Sequence, residues 1–336
     1  MDSITHIVTG ACIGEVFAGK KLGKKAMLWG AAAQTLPDID VVTSWWMNIP
    51  DGLLAHRGFT HSFVFALLST ALIAFFAERW HRPHNINYLK WYFFILAEIA
   101  VHLFLDVQTA YGTGLMEPFY HTRYTLNTIF VADPFFTIIP LIISIVLLII
   151  RKTSPRRIFL ANIGIATCCL YLFYCWYNKF NIEKKTNEVF AQKKISPVKY
   201  FTTPSPLNNW LWYIVADDGK GFYCGYKSVF DKNNDINFIY APKNDSLLAE
   251  VGDHEEVDRL IRFSNGYYTF EKRLDTLILN DLRFEQQGGW MDKNAPFVFY
   301  YYLQNKGSND LIVQRGRFKD VNKKVLFSLA DRIKGN

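Results

Sequence analysis

Cysteine is scarce in this chain, which has five in 336 residues. That density is too low for a fold that depends on disulfides. Charged residues are also sparse, at 20% of the chain, against about 25% in ordinary globular domains. The first residues, MDSITH, lack the basic leader of a cleavable signal peptide, so we expect none. Internal repeats and low-complexity tracts are absent from the sequence.

The charges that are present divide the chain in two. Residues 1–180 contain 14 basic and 10 acidic residues, whereas residues 181–336 contain 23 basic and 20 acidic residues. This division excludes both a uniform soluble protein and a protein that lies in the membrane throughout. We expect an α-helical multi-span membrane domain at 1–180, a charged connector at 181–195 and a small soluble α+β domain at 196–336.

The first part contains apolar runs long enough to cross a bilayer, which takes about 20 helical residues. Gly58–Ala77 and Ile158–Tyr177 are uncharged over that length. Tyr88–Ala110 is similar but carries ionisable side chains, and Phe135–Ile150 is a shorter uncharged run. We expect a spanning or re-entrant helical hairpin from two stretches near the start, Ile4–Gly19 and Ala26–Val42.

Basic loops between these stretches indicate the orientation. They contain Lys20 to Lys25, Arg79 to Lys90, and Arg151 to Arg157. Lys and Arg are enriched in cytoplasmic loops, so we expect all three loops inside the cell. The C-terminal domain is then expected outside the cytoplasm.

The second part has the pattern of a small mixed domain. Its β-branched and aromatic runs, separated by Gly, Asn and Asp, are typical of strands. Its net charge of +3 is too weak to indicate nucleic-acid binding. The predicted strands are Trp210–Ala216, Gly221–Val229, Ile236–Tyr240 and Pro296–Leu303, and the predicted helices are Asp253–Ser264 and Lys319–Ile333.

His102 and Asp106 are four residues apart, so a helix would place both on one face. A histidine and a carboxylate one turn apart can bind one cation. They can equally form an ion pair that satisfies itself inside a helical bundle. Glu98 lies one turn earlier, either as an outer partner that orients His102 or as a buried protonated acid.

The string HRGFTHS, from His56 to Ser62, is the second candidate site. Two histidines flank Arg57, whose forked guanidinium suits a phosphate or a carboxylate. A basic anchor at the membrane interface is the alternative, although two imidazoles that can be neutral make a poor anchor.

Three further features are weaker alone. Asp38 and Asp40 in LPDID can converge on a metal or can simply end a helix. A lone histidine near a helix start, such as His6, is more often structural. Asp133 precedes an apolar run and could serve only as a helix cap. With the basic loops inside, however, all these groups fall at the outer membrane face, and mixed nitrogen and oxygen ligands suit a divalent metal.

The ordered set of His6, LPDID, HRGFTHS and HLFLD resembles the YdjM family over about residues 1–180. This resemblance implies a bacterial inner-membrane, metal-dependent hydrolase, related distantly to zinc phospholipase C and the P1-type nucleases. It also implies a link to the SOS response and a LexA-type partner. The metal ligands it implies are His6, Asp38, His56, His61, His102 and Asp106, with Asp133 as a further candidate.

We therefore expect one or two divalent ions, with zinc favoured, at the boundary between membrane and water. A metal lowers the pKa of bound water to about 7, and the resulting nucleophile would attack a phospholipid substrate in the bilayer. Arg57 would hold the developing negative charge, and Asp40 would act as a base or a ligand. The alternatives are a transport-type or non-catalytic protein that binds or passes a divalent cation, and a haem or quinone protein, which the shortage of histidines at helix centres disfavours.

Overall fold

The computed structural model describes residues 1–251, 254–273, 276–303, 314–315 and 323–335. A helical half is followed by a small domain of antiparallel sheets and helices, so the expected fold class is confirmed. The chain divides into two units, of which the first contains Met1–Thr43 and Ala55–Cys175 and the second contains Ser44–Leu54 and Trp176–Asn336.

Helices account for most of the first 193 residues. Two stretches of 3-10 helix, Pro37–Trp45 and Phe59–His61, interrupt the α-helical pattern where the LPDID and HRGFTHS motifs lie. The α-helices are α1 (Ser3–Leu22), α2 (Lys24–Thr35), α3 (Ile49–Ala55), α4 (Phe63–Trp80), α5 (Tyr88–Val107), α6 (Pro134–Ile149) and α7 (Arg156–Lys193).

Three of these helices, α4, α5 and α7, are long and apolar enough to cross a membrane. Large apolar side chains lie exposed along α4, where Leu68 is 64% exposed and Phe76 is 57% exposed. Exposed apolar side chains of this kind suit contact with lipid rather than water. α6 is a shorter apolar helix of 16 residues. By length and composition, α4, α5 and α7 are therefore candidate membrane spans.

α1 and α2 cross at two glycines, Gly10 and Gly30. A Cβ atom placed on Gly30 would lie 2.0 Å from the carbonyl oxygen of Gly10, and one on Gly10 would lie 2.5 Å from the oxygen of Gly30. Only glycine permits such an approach of two backbones. The crossing brings α2 and its C-terminal end against the start of α1, close to the candidate site residues.

The described residues of the second unit form two four-stranded antiparallel sheets, in the orders β1-β2-β3-β4 and β5-β6-β7-β8. Its helices are α8 (His254–Phe263) and α9 (Lys323–Ile333). Tyr213, Val215 and Phe222 are fully buried in its core. The strands are β1 (Lys199–Pro204), β2 (Leu211–Asp217), β3 (Gly221–Ser228), β4 (Ile239–Pro242), β5 (Tyr268–Arg273), β6 (Thr276–Gln286), β7 (Phe297–Leu303) and β8 (Gln314–Arg315).

The four predicted strands correspond to β2, β3, β4 and β7 within a few residues. The two predicted helices correspond to α8 and α9, although Asp253 and residues 319–322 lie outside the described residues. The stretch expected as a charged connector is helical as far as Lys193, because α7 continues without a break for 38 residues.

Candidate metal centre

Local structure places the motif residues at helix ends. Asp2 caps α1 by accepting a hydrogen bond from Thr5 N, which puts His6 in the first turn. Ser62 caps α4 in the same way, so His61 lies immediately before that helix. His102 and Asp106 share one face in the last turns of α5. Polar groups at helix ends can meet while the apolar helix bodies face lipid.

Four of the predicted residues come together in one group: Asp38, His61, His102 and Asp106. One ligand atom from each lies within 4.8 Å of the others. The Nε2 atoms of His61 and His102 are 3.1 Å apart. His61, His102 and Asp106 are fully buried, and the Asp38 side chain is 17% exposed. The group has the composition of a mixed nitrogen and oxygen metal site.

The carboxylates face the same ring nitrogens. Asp38 Oδ1 lies 3.4 Å from Nε2 of His61 and 3.7 Å from Nε2 of His102. Asp106 Oδ2 lies 3.3 Å and 3.5 Å from the same two atoms. Asp106 Oδ2 nevertheless makes no hydrogen bond, although it is buried. Two imidazole nitrogens and two carboxylate oxygens that surround one point fit the cage of a bound ion.

The outer nitrogen of each ring has its own partner. Nδ1 of His102 lies 2.5 Å from the backbone oxygen of Gln34, which can only accept a hydrogen bond. His102 therefore carries a proton on Nδ1 and directs the lone pair of Nε2 into the group. Nδ1 of His61 lies 3.1 Å from Asp40 Oδ2. A carboxylate or carbonyl behind a histidine is the usual arrangement in metal sites, because it orients the ring.

Asp40 holds the HRGFTHS segment in place. Its Oδ1 pairs with Nδ1 of His56 at 2.8 Å. Its Oδ2 accepts hydrogen bonds from Arg57 N at 2.9 Å and from the hydroxyl of Thr60 at 2.7 Å. Arg57 has a φ of 60°, in the left-handed region. A side chain that fixes several groups of one loop supports such a strained turn.

The charges of these groups are strongly linked. Burial alone would raise the pKa of Asp38, but its hydrogen bond with His61 and the nearby His102 lower that pKa to about 2. Burial would lower the pKa of His61, yet the adjacent carboxylates of Asp106, Asp38 and Asp40 raise it to about 10. The carboxylates therefore hold a positive charge at the centre of the group. In the metal-free protein a proton on His61 supplies that charge, and a metal ion would displace it.

The donor set fits a divalent cation. Two carboxylates and two neutral imidazoles carry a total charge of −2, which one divalent ion cancels. Nitrogen and oxygen ligands suit zinc and other transition metals. A second group, formed by Asp38, Asp40 and His56, shares one carboxylate with the first. The side chain of His56 is 36% exposed, so this second group lies nearer the surface.

His6 and Arg57 adjoin the first group through Asp106. Nε2 of His6 lies 3.2 Å from Asp106 Oδ1, and its ring stacks on that of His102 with centroids 3.8 Å apart. The guanidinium of Arg57 is buried, with Nε 3.1 Å from Asp106 Oδ2 and Nη1 2.7 Å from the Thr109 hydroxyl. The amino group of Met1 also contacts Asp106.

The structure does not bring Asp133 into either group. Asp133 caps α6 by accepting hydrogen bonds from the backbone of Phe135 and Phe136. Its other oxygen accepts a hydrogen bond from the Tyr171 hydroxyl at 2.9 Å. These contacts are those of a helix cap, which was the alternative interpretation of this residue.

Three contributors were not predicted from the sequence. Gln34 supplies the backbone oxygen that contacts Nδ1 of His102. Every residue has a backbone carbonyl, so the sequence cannot indicate which one takes this role. Thr109 binds Arg57 from the turn after α5. Arg123 donates a hydrogen bond to the His56 carbonyl at 2.6 Å from a loop more than 60 residues away. An isolated arginine in an otherwise uncharged stretch is the only signal that could have indicated it.

Comparison with known proteins agrees with the residue pattern. A model of the family described as YdjM inner membrane protein matches residues 1–182. The chain is 25% identical to an uncharacterised protein, YfhP of Bacillus subtilis (strain 168), over 329 residues, which cover 90% of this chain and 91% of YfhP.

The inner membrane protein YbcI of Escherichia coli (strain K12) is 31% identical over 112 residues, which cover 33% of this chain and 63% of YbcI. No solved structure matches the chain. The family match includes every residue of the two His and Asp groups, and the helices around them are apolar. The chain belongs to the YdjM inner membrane protein family.

Proposed function

We propose that this protein is a membrane-bound, metal-dependent hydrolase that cleaves phosphoesters, with phospholipids as the substrate class. The observation that carries the proposal is the convergence of Asp38, His61, His102 and Asp106 on one buried point. The ring nitrogens of both histidines are oriented from behind by an oxygen. Such preorganised nitrogen and oxygen ligands support metal-assisted hydrolysis.

In this proposal the four residues hold the first ion, for which zinc is the favoured candidate. Asp38, Asp40 and His56 are the candidate ligands of a second ion. A bound divalent ion would act as a Lewis acid and make water a nucleophile near neutral pH. The enzyme class is therefore one in which no serine or cysteine nucleophile is needed.

Asp40 and Arg57 act on the metal ligands by contacting and orienting them. Both oxygens of Asp40 are already engaged, by His56 on one side and by Arg57 N, Thr60 and His61 on the other. We therefore assign Asp40 to positioning rather than to proton transfer. Arg57 is buried against Asp106. Its fixed positive charge orients that carboxylate and favours negative charge that develops beside it.

The position of the group along the helices favours a lipid substrate. The basic loops at the other ends of the helices meet one another: Lys21 Nζ donates a hydrogen bond to Asn85 O, and Lys152 Nζ donates one to Lys21 O. His6, by contrast, lies in the first turn of α1, and Asp106 lies in the last turn of α5. The metal group is thus at the far ends of these helices, and in this proposal it lies at the depth of lipid headgroups.

Orientation follows from the same loops. Lys and Arg are enriched on the cytoplasmic side, so we propose that the joined basic loops face the cytoplasm. The metal group and the domain after α7 would then face the outside of the cell. Protease added to intact spheroplasts should cleave the C-terminal domain if this is correct and should leave it intact if the orientation is reversed.

A phospholipid hydrolysis assay tests the function. Purified protein would be loaded with zinc, manganese or magnesium in mixed micelles, and products would be identified by mass spectrometry. Asp38→Asn should reduce turnover by about 100-fold, since even loss of an outer partner of a metal site costs about 10–100-fold. Asp51→Asn is the matched control, because Asp51 is 41% exposed and pairs with Arg259. Absence of product from the metal-loaded wild type, or full activity in Asp38→Asn, would contradict the proposal.

A further inference from the structure

A second polar junction lies inside the helical bundle, one turn of α5 before His102. Both carboxyl oxygens of Glu98 lack a hydrogen-bond partner, and so do both polar atoms of the Gln34 side chain. Each residue is fully buried. Among the described residues, Glu98 also has no ion pair. Ionisable groups at membrane depth are costly and mark functional sites unless they are paired.

The two glycines of the α1–α2 crossing border both side chains. A Cβ on Gly30 would lie 2.7 Å from Glu98 Oε1, and a Cβ on Gly10 would lie 2.9 Å from the Cβ of Gln34. The Glu98 carboxyl group and the base of the Gln34 side chain therefore both border the crossing of α1 and α2. Glycine at both positions keeps this junction free of side chains that would fill it.

The chemistry of the junction selects a small cation. Two carboxyl oxygens and one amide oxygen are hard ligands, which bind alkali and alkaline-earth ions. The junction offers a single carboxylate, so a monovalent ion cancels its charge. A divalent ion would leave one uncompensated positive charge in an apolar bundle, where burial of net charge is expensive.

We infer that Glu98 and Gln34 form a site for one monovalent cation, and sodium is the ion that we propose. The site is separate from the metal group, since none of its side-chain atoms belongs to the set around His61. The two are nevertheless connected. The backbone oxygen of Gln34 accepts the hydrogen bond that orients His102, so an ion held by the Gln34 side chain would also steady a ligand of the metal group.

Binding of ²²Na⁺ to the purified, detergent-solubilised full-length protein tests this inference. EDTA-treated wild type should bind about one sodium ion, which unlabelled sodium displaces. Because EDTA removes divalent metal, sodium binding after EDTA treatment reports on this site and not on the metal group. The result of this experiment therefore does not depend on the proposed hydrolase activity. Folded wild-type protein without saturable sodium binding would overturn the inference and leave Glu98 as a neutral, protonated acid.

Substitutions of Glu98 and Gln34 test whether these two residues bind the sodium ion. Glu98→Gln should abolish sodium binding, and Gln34→Leu should weaken it at least tenfold. Glu78→Gln is the matched control, because the Glu78 side chain is 28% exposed and faces Arg82; it should bind sodium as wild type does. Size-exclusion profiles verify folding of each variant, and the wild-type competition experiment decides the question if Glu98→Gln does not fold. Unchanged sodium binding by folded Glu98→Gln would overturn the assignment.

Discussion

The Nε2 atoms of His61 and His102 face each other at 3.1 Å, although the two residues are 41 positions apart in the sequence. Two lone pairs at that distance repel each other unless a positive charge lies beside them. Asp38 and Asp106 face the same point and strengthen that requirement. The centre of the group is therefore a cation position, for a proton in the metal-free protein and for a metal ion when one binds.

Replacing either histidine with alanine should remove the bound metal. His61→Ala and His102→Ala each delete one of two nitrogen ligands, and we expect the metal-to-protein ratio, measured by inductively coupled plasma mass spectrometry, to fall at least tenfold. His121→Ala is the control, because His121 is 58% exposed and pairs only with Glu117 among the described ion pairs. A wild-type ratio in both His61→Ala and His102→Ala would show that the group holds no ion.

The glycine crossing should be intolerant of even one methyl group. Gly30→Ala would place a Cβ 2.0 Å from the Gly10 oxygen, so the two helix backbones must separate. Overpacking of this kind costs about 1–3 kcal/mol or more. We expect a lower melting temperature in detergent for Gly30→Ala. Gly52→Ala is the control, since nothing lies within 4 Å of its Cβ position; its melting temperature should be unchanged or slightly higher.

The parts of this protein that follow a local hydropathy pattern or a helical residue spacing could be predicted from the sequence. Tyr88–Ala110 was expected as a membrane segment, and α5 covers Tyr88–Val107. The spacing of His102 and Asp106 predicted a shared helix face, and the structure has Nε2 and Oδ2 of this pair 3.5 Å apart. Hydropathy and helical periodicity act over a few residues, which is why they can be recognised without a structure.

Contacts that depend on tertiary packing could not be predicted. Glu98 was one expected partner for His102, but the His102 ring is oriented by the Gln34 carbonyl instead. Asp40 stays a candidate ligand, but the sequence did not predict that its carboxylate also holds several groups of one loop. Both arrangements depend on how helices cross, and a single sequence does not encode that crossing in any local spacing.

A buried ion pair joins α1 to the start of α7. Arg157 Nη2 lies 2.6 Å from Glu15 Oε2 and Nε lies 2.8 Å from Oε1, and both side chains are at most 2% exposed. Removal of one partner of a buried pair costs about 3–5 kcal/mol, because the other charge stays buried and uncompensated. We expect Glu15→Leu to lower the melting temperature markedly.

The double variant distinguishes charge burial from packing. Glu15→Leu with Arg157→Leu removes both charges, so it should recover a large part of the lost stability. The control is Glu78→Ala, since Glu78 and Arg82 form a partly exposed pair at 3.6 Å that should contribute at most about 1 kcal/mol. If the double variant were less stable than either single one, the loss would come from packing rather than from an unpaired charge.

Glu285 should make the stability of the second unit depend on pH. Its side chain is buried in β6, and Ser205 Oγ donates a hydrogen bond to its Oε2 at 3.0 Å. Burial raises the pKa of this carboxyl from 4.5 to about 8, because the hydrogen bond only partly offsets the loss of water. Between these two values the folded protein holds a proton that the unfolded chain has released.

That difference determines the sign of the effect. Stability falls with pH wherever the folded state binds more protons than the unfolded state. The contribution of Glu285 is thus fully present below about pH 4.5 and is lost as the pH rises to about 8. Hydrogen exchange of the β6 amides, corrected for intrinsic rates, should show the opening free energy falling by up to about 1.4 kcal/mol per pH unit. Glu285→Gln cannot ionise, so this part of the slope should vanish, and an equal slope in both proteins would assign the pH dependence to other groups.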